Sequence, residues 1–455
     1  MKDLSRLKHV VRKTSGGAEI TVLDTGAVLT PEDVAMLQAL HSRSSRGIHG
    51  HLEALMKRGS GNFMDTYYVG YGDKSIGDCG TTTIFIEGVS MLVAKAIQDW
   101  DLYSGQEAST RYISFENQPF LNPHGTETGN TVLERWRAFY MRAMPVLVES
   151  LIKRFPRKDG EDEKVYEKAI RARAFDIARG FLPAGASTNL AWHTNLRQAA
   201  DSLMRLRHHP LEEVRLVAEA IEDALREAHP HSFNHKRYAA TEEYHSQWMK
   251  KFYYHNPSEW NDYIRNFDRF NKGMLRGHDE VLRSRPPKTM VPRELGDCGL
   301  LDFDFLLDFA SFRDIQRHRA VYQRMPLLTS RFGFEEWYLE EMPESLRKEA
   351  LDLIKSQLVV IEHSEPEAVS TPILDQYYYP MGYKVPCRVS GDLPSFVWLM
   401  ELRSTAFVHP TLRKRAIQMI RSVELELGEY GLIIHADPDP HRFDVGRGKH
   451  DIVMK

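Results

Sequence analysis

The chain has 455 residues, 42% of them hydrophobic and 27% charged, with a formal net charge of -3. That length and balance suit a soluble globular protein of two or three domains, and the slight negative charge gives duplex nucleic acid no basic surface to bind. Three cysteines, Cys79, Cys298 and Cys387, lack C-x-x-C spacing and suggest neither a disulfide framework nor a thiolate zinc site.

The amino-terminal MKDLSRLKHVVRK is basic but lacks the apolar stretch of a secretory signal, and no run is long enough to span a bilayer. A cytoplasmic protein without a membrane partner is therefore expected. Thr30-Pro31-Glu32-Asp33 reads as a helix start, with a capping residue and a proline in the first turn. GDCG at 77–80 precedes a strand-like TTTIFIE at 81–87. Val89, Leu92, Val93, Ala96 and Ile97 then recur at helical spacing, which predicts an amphipathic helix. It ends at Asp99-Trp100-Asp101, where the carboxylates oppose the helix dipole and need another explanation. VLERWRAFYMRAMPVLVESLIKRF and KVYEKAIRARAFDIARGFL read as two long amphipathic helices filling the back of the first half. The stretch 230–290 is rich in His, Asn, Arg and aromatics and reads as a partly helical connection between halves.

GDCG returns at 296–299, followed by LLDFDFLLDF at 300–309. There Leu301, Phe303, Phe305, Leu307 and Phe309 alternate with Asp302, Asp304 and Asp308, the period of a half-buried strand. Each GDCG is followed downstream by Ile-Gln and a charged triplet, Asp99-Trp100-Asp101 in one case and Arg317-His318-Arg319 in the other. Two anchors in the same order indicate an internal repeat. Cations at a helix carboxyl terminus are locally favourable, so the arginine version fits its place.

Taken singly these residues have ordinary readings. R-H-R alone is a solvated helix end or an ion-pair cluster; Glu107 and Ser109 alone are helix caps. Arg179 and Arg197 alone are surface charges, and Arg403, in the apolar run VWLMELR, is one side of a buried ion pair. Cys79 and Cys298 read as structural thiols. HADPDPH at 435–441 reads as an extended tail and no metal site is assigned.

Together the motifs resemble the flavin-dependent thymidylate synthases, whose signature is R-H-R followed by a segment containing Q/N-E-x-S-x-R-Y. Here it is divided. The second half keeps Arg317-His318-Arg319 but continues as AVYQRMPLLTSR, whereas the first half keeps Gln106-Glu107-Ala108-Ser109-Thr110-Arg111-Tyr112 behind Asp-Trp-Asp. ARGFLP at 178–183 is similar to the family's A-R-x-x-L-P segment, and WHTNLRQAADSLMRLR at 192–207 to its N-x-R helix ending in L-R. The second half has Gln376, Asp392 and Pro394 at the corresponding positions and retains Leu402-Arg403. The family's G-H-x-S/T-x-x-E-H segment appears as YGDKSIGDCG, with Asp73 for the first histidine and Asp78-Cys79 for Glu-His.

The resemblance implies an α+β fold of two tandem thymidylate-synthase-complementing-protein-like repeats, 1–232 and 233–455, each a small antiparallel sheet flanked by long helices. It implies reductive methylation of dUMP to dTMP with FAD as cofactor and NADPH and methylenetetrahydrofolate as cosubstrates, without a protein nucleophile. Glu107, Ser109, Arg111 and Arg179 would bind the nucleotide together with Arg317 and Arg403, which also act at the pyrimidine. Gln106, Asn195, Arg197, His318 and Arg319 would contact flavin. Because family sites form between subunits, a homodimer of this chain would imitate the family's tetramer with half the sites. The alternatives are a flavoenzyme acting on a pyrimidine nucleotide with another one-carbon donor or product, and a silent nucleotide-binding protein.

Overall fold

The structure is a computed structural model, describing residues 8–24, 29–41, 47–110, 114–363 and 372–437. The chain packs as two compact units, Met1–Tyr112 with Ala186–Tyr253, and Ile113–Gly185 with Tyr254–Lys455.

The first unit is built on a five-stranded antiparallel sheet. Its strands are β1 (Lys8–Lys13), β2 (Glu19–Asp24), β3 (Thr81–Ser90), β4 (Ser104–Glu107) and β5 (Ser187–Asn195), in the order β1-β2-β3-β5-β4. Ile84 and Ile86 of β3 are fully buried while Thr81, Thr83 and Phe85 face outward, as a period-2 strand requires. β3 runs three residues beyond the expected 81–87, because a bulge between Ile86 and Val89 lets pairing with β5 resume. The Ser90 hydroxyl then accepts from Val93 N at 3.2 Å and starts the helix Met91–Gln98. That helix is not amphipathic: Met91 to Ile97 are all buried, Lys95 included. Helices Pro31–His41, Gly47–Arg58, Leu196–Leu206, Glu212–Ala228 and Ala239–Phe252 belong to the same unit.

The second unit carries a four-stranded sheet of β6 (Tyr263–Asn266), β7 (Leu300–Asp308), β8 (Tyr322–Gln323) and β9 (Lys384–Asp392), ordered β6-β7-β9-β8. Leu301, Phe303, Phe305 and Leu307 bury their side chains, and Asp302 and Asp304 pair outward with Arg269 and Arg388. Asp308 breaks the expected pattern. It is fully buried because it caps the helix Phe309–Ile315 through Ser311 N at 2.9 Å, and it accepts from Tyr338 Oη at 2.7 Å and Thr411 Oγ1 at 2.5 Å. Phe309 is therefore the first helical residue and not the end of the strand.

The two sheets have matching local layouts. Thr81, just after the first GDCG, pairs with Asn195, and Leu300, just after the second, pairs with Asp392. Asn195 and Asp392 each cap the next helix, at Gln198 N (2.8 Å) and Ser395 N (2.9 Å). β4 and β8 pair with β5 and β9 at corresponding points, Ser104 with His193 and Tyr322 with Ser390. The last glycine of each GDCG is sterically required: a Cβ at Gly80 would lie 2.5 Å from Pro31 O, and at Gly299, with φ +111°, 2.1 Å from Arg269 O. Of the two thiols read as structural, Cys298 is buried and Cys79 only partly so, with its pKa raised by burial and by Asp78.

The long helices lie elsewhere than expected. Glu127–Arg154 and Glu163–Ala178 belong to the second unit and not to the back of the first half. Trp136 Nε1 donates to Tyr378 O at 3.0 Å, Gln357 Nε2 donates to Val132 O at 2.7 Å, and the Phe181 ring lies 4.6 Å from Phe139 and 4.9 Å from Phe334. The connecting stretch is likewise shared, since Ala239–Phe252 packs in the first unit while Tyr263–Asn266 is a strand of the second. Compact packing thus cuts the chain differently from the sequence division at 232/233, which follows the order of the motifs.

Candidate functional site: an arginine cluster in the second unit

The helix Phe309–Ile315 delivers Arg317-His318-Arg319 just past its carboxyl end, where His318 N donates to Ile315 O at 2.9 Å. Arg317 is largely exposed, with Nη2 3.4 Å from Asp314 Oδ1. Arg319 is exposed. His318 is 8% exposed, and its Nε2 accepts from Arg403 Nε at 2.7 Å, which leaves the ring proton on Nδ1. Burial, with Arg403 alongside, pushes its pKa down to about 3, so the imidazole is neutral at ordinary pH. Arg403, the last residue of the helix Leu393–Arg403, has its own pKa lowered by burial.

Arg179 joins this group. It sits in the turn Arg179–Phe181, 8% exposed, with Nη2 donating to Ser311 Oγ at 3.2 Å and lying 4.0 Å from Asp314 Oδ2. Burial opposes its charge, but Tyr338, Asp314, Asp176 and Asp308 outweigh that, so the guanidinium is held more firmly protonated than in water. Arg313 also lies in the field of Asp314, and burial depresses its pKa to about 10. Four guanidiniums thus share the field of Asp314. Such an arrangement suits an anion with several oxygens, because forked donors form charge-assisted hydrogen bonds. Arg313 and Asp314 had gone unremarked in the sequence. The signal available was the Asp-x-x-Arg spacing from 314 to 317, which lets the two side chains meet across one turn at the helix end.

The other assigned residues lie in the first unit. Gln106 and Glu107 are on edge strand β4, with Gln106 exposed and Glu107 Oε2 accepting from Gln98 Nε2 at 2.7 Å. Ser109 is exposed. Arg111 and Tyr112 lie outside the described residues. Asn195 is a helix cap, and Arg197 Nε donates to Asp78 Oδ1 of GDCG at 2.7 Å. Arg197 also lines a cavity of about 290 Å³ together with Tyr68, Lys74, Asp201, Arg207 and His235.

The acidic triplet finds its explanation in the helix before it. Asp99 Oδ1 is 3.6 Å from the Nζ of Lys95, whose side chain is fully buried, so the carboxylate answers a cation one turn back and not the helix dipole. Trp100 Nε1 donates to Gln198 Oε1 at 3.0 Å, and Arg205 lies over its ring at 5.1 Å. Asp99→Ala takes a carboxylate from a buried ammonium and is expected to destabilise the protein by about 3 kcal/mol, read as a lower urea midpoint. An unchanged midpoint would remove the pairing from any account of the triplet.

No group of three or more His, Cys, Asp or Glu among the described residues is placed to hold a metal ion, and no described helix is long and apolar enough to cross a membrane.

Comparison with known proteins adds the following. A family model, Thymidylate synthase complementing protein, matches residues 22–231. A UPF0159 protein of Chlamydia muridarum is 25% identical over 413 residues, covering 78% of this chain and 76% of the relative. UPF0159 protein Ta1429 of Thermoplasma acidophilum is 24% identical over 465 residues, covering 85% of this chain and 92% of its own. Among solved structures, thymidylate synthase X from Helicobacter pylori, with FAD and dUMP, is 19% identical and covers 50% of this chain and 97% of its own, at a TM-score of 0.28.

Proposed function

From a chain that carries the thymidylate synthase complementing protein family over residues 22–231, we propose a flavin-dependent thymidylate synthase-like enzyme that converts dUMP to dTMP with methylenetetrahydrofolate and reduced FAD. The observation that carries the reading is the cluster of Arg179, Arg317, His318 and Arg403 about Asp314, an anion site built on the R-H-R motif. The matching strand order, register and helix caps of the two sheets support a tandem duplication in which each half kept a different part of the signature. The first half supplies Gln106, Glu107, Ser109 and Arg111, the second the arginine cluster, and a homodimer of the chain brings complementary parts together.

In this reading the guanidiniums of Arg179 and Arg111 bind the phosphate, and Ser109 adds a neutral donor. Arg317 and Arg403 face the pyrimidine, where fixed positive charge stabilises the negative charge that develops on the ring oxygen. Neutral His318 is held by Arg403 in the tautomer whose Nδ1–H is a donor, and Arg319 is exposed beside it, which fits an anionic ring system. These two residues would hold the flavin, with Asn195 and Gln106 from the first half. Arg197, which donates to Asp78 Oδ1, would join them. FAD held there and reduced with electrons from NADPH would supply the hydride. No protein nucleophile is needed; the side chains orient the reactants and exclude competing positions.

One feature favours a second reading. Asp73 and Asp78 replace the family's flavin-side histidine and glutamate, and Asp78 engages Arg197. A related flavoenzyme with another one-carbon donor or product, or a silent nucleotide binder, would tolerate that change.

Titration of the purified chain with FAD and dUMP, followed by mass analysis after adding methylenetetrahydrofolate and NADPH, separates these. A yellow protein that binds dUMP and forms dTMP supports the first reading. Another alkylated nucleotide supports the second. No flavin absorbance after reconstitution removes both enzyme readings.

A further inference from the structure

Asp314 stands in the last turn of the helix Phe309–Ile315, between two of the arginines assigned to the nucleotide. One carboxylate oxygen is 3.4 Å from Arg317 Nη2 and the other 4.0 Å from Arg179 Nη2. Both contacts are looser than a good charge-assisted hydrogen bond. Its charge also reaches Arg313 and Arg403, the two members of the cluster whose charge burial disfavours. The buried Nε of Arg179 has no hydrogen-bond partner among the described residues. Asp176 and Asp308 offset Arg179 as well, and Asp314 is the carboxylate that turns one oxygen toward each of Arg179 and Arg317.

We infer that Asp314 is an internal counter-ion that a phosphate monoester must displace from Arg179 and Arg317, so that this residue sets the affinity and charge selectivity of the anion site. The inference rests on reading the cluster as a nucleotide site. Two anions a few ångströms apart among the same guanidiniums repel one another, whereas a dianion that replaces the carboxylate engages the guanidiniums with more oxygens and more charge. A neutral nucleoside experiences neither effect.

The test is calorimetric titration of the full chain and its Asp314→Asn variant with inorganic phosphate, dUMP and deoxyuridine. Phosphate and dUMP should bind the variant about tenfold more tightly, and deoxyuridine should be unaffected. Asp304→Asn, which loses only the outward pair with Arg388, should leave phosphate affinity as it was. Unchanged or weaker phosphate binding by Asp314→Asn overturns the inference. Tighter phosphate binding in a chain that ignores dUMP keeps the counter-ion and removes the nucleotide reading; dUMP binding that the substitution leaves unaltered does the reverse. If Asp314→Asn does not fold in dilute buffer, recovery of the folded chain in phosphate supports the role. Failure to recover there makes Asp314 a core residue and overturns it.

Discussion

Mixing purified Arg111→Ala protein with purified Arg317→Ala protein, under conditions that let subunits exchange, is expected to restore synthase activity that neither has alone. In the proposed reading each substitution removes a cation that binds the nucleotide, and the loss of one such group costs about 10²- to 10³-fold in turnover. Arg317 lies in the second compact unit, and the retained Gln-Glu-x-Ser-x-Arg-Tyr segment begins on β4 of the first. If a site takes its first-half residues from one chain and its second-half residues from another, a mixed dimer has one site with both defects and one with none. Random pairing then recovers up to about a quarter of the wild-type sites, the statistical share for a two-fold assembly. No recovery, with exchange verified by mass, would place all parts of a site within a single chain and sink the trans-assembled dimer. Activity in either variant alone would instead remove that arginine from the site.

Stability is expected to fall steeply between pH 6.5 and about 4, more steeply than surface carboxylates alone produce. Burial drives the pKa of His318 down to about 3 and that of His255 to about 4, and holds His209 well below its ordinary value. In the unfolded chain these imidazoles take up a proton near pH 6.5 while the folded ones stay neutral, so the unfolded state binds more protons. Their contribution is complete above that pH and is lost as pH falls toward the folded values, each at up to about 1.4 kcal/mol per pH unit. Glu32 and Glu335, whose pKa values are raised by burial, protonate first in the folded state and offset part of the loss. Urea midpoints between pH 7 and 4.5 measure the slope. His318→Gln keeps an acceptor for Arg403 but does not titrate, and should flatten the curve; a slope equal to that of the wild type would show that His318 is not a buried neutral group.

Much of the local architecture was legible because it depends on short-range chemistry. The strands after each GDCG follow from alternation, and the place of Arg317-His318-Arg319 follows from the end of a short helix. What escaped detection depends on partners far along the chain. Asp308 has the spacing of an outward residue, but Tyr338 and Thr411 make it a buried acceptor. Arg179 belongs by sequence to a first-half motif, yet the apolar face of Trp136 and Phe139 carries its helices into the second unit and to Ser311. Nearer signals lie in the sequence itself. Lys95 is one turn from Asp99, and Asp314 one turn from Arg317, and both explain a charged triplet better than the helix dipole does.

The alternation of the two units along the chain also bears on how such a gene persists. Residues 113–185 are committed to the second unit and 186–253 return to the first, so the polypeptide is braided. A break at 232 would leave one fragment carrying helices whose buried partners are encoded on the other, and the second fragment carrying a core without them. Separation into two chains at that point is therefore penalised at the level of folding, and the two compact units are obliged to be translated as one.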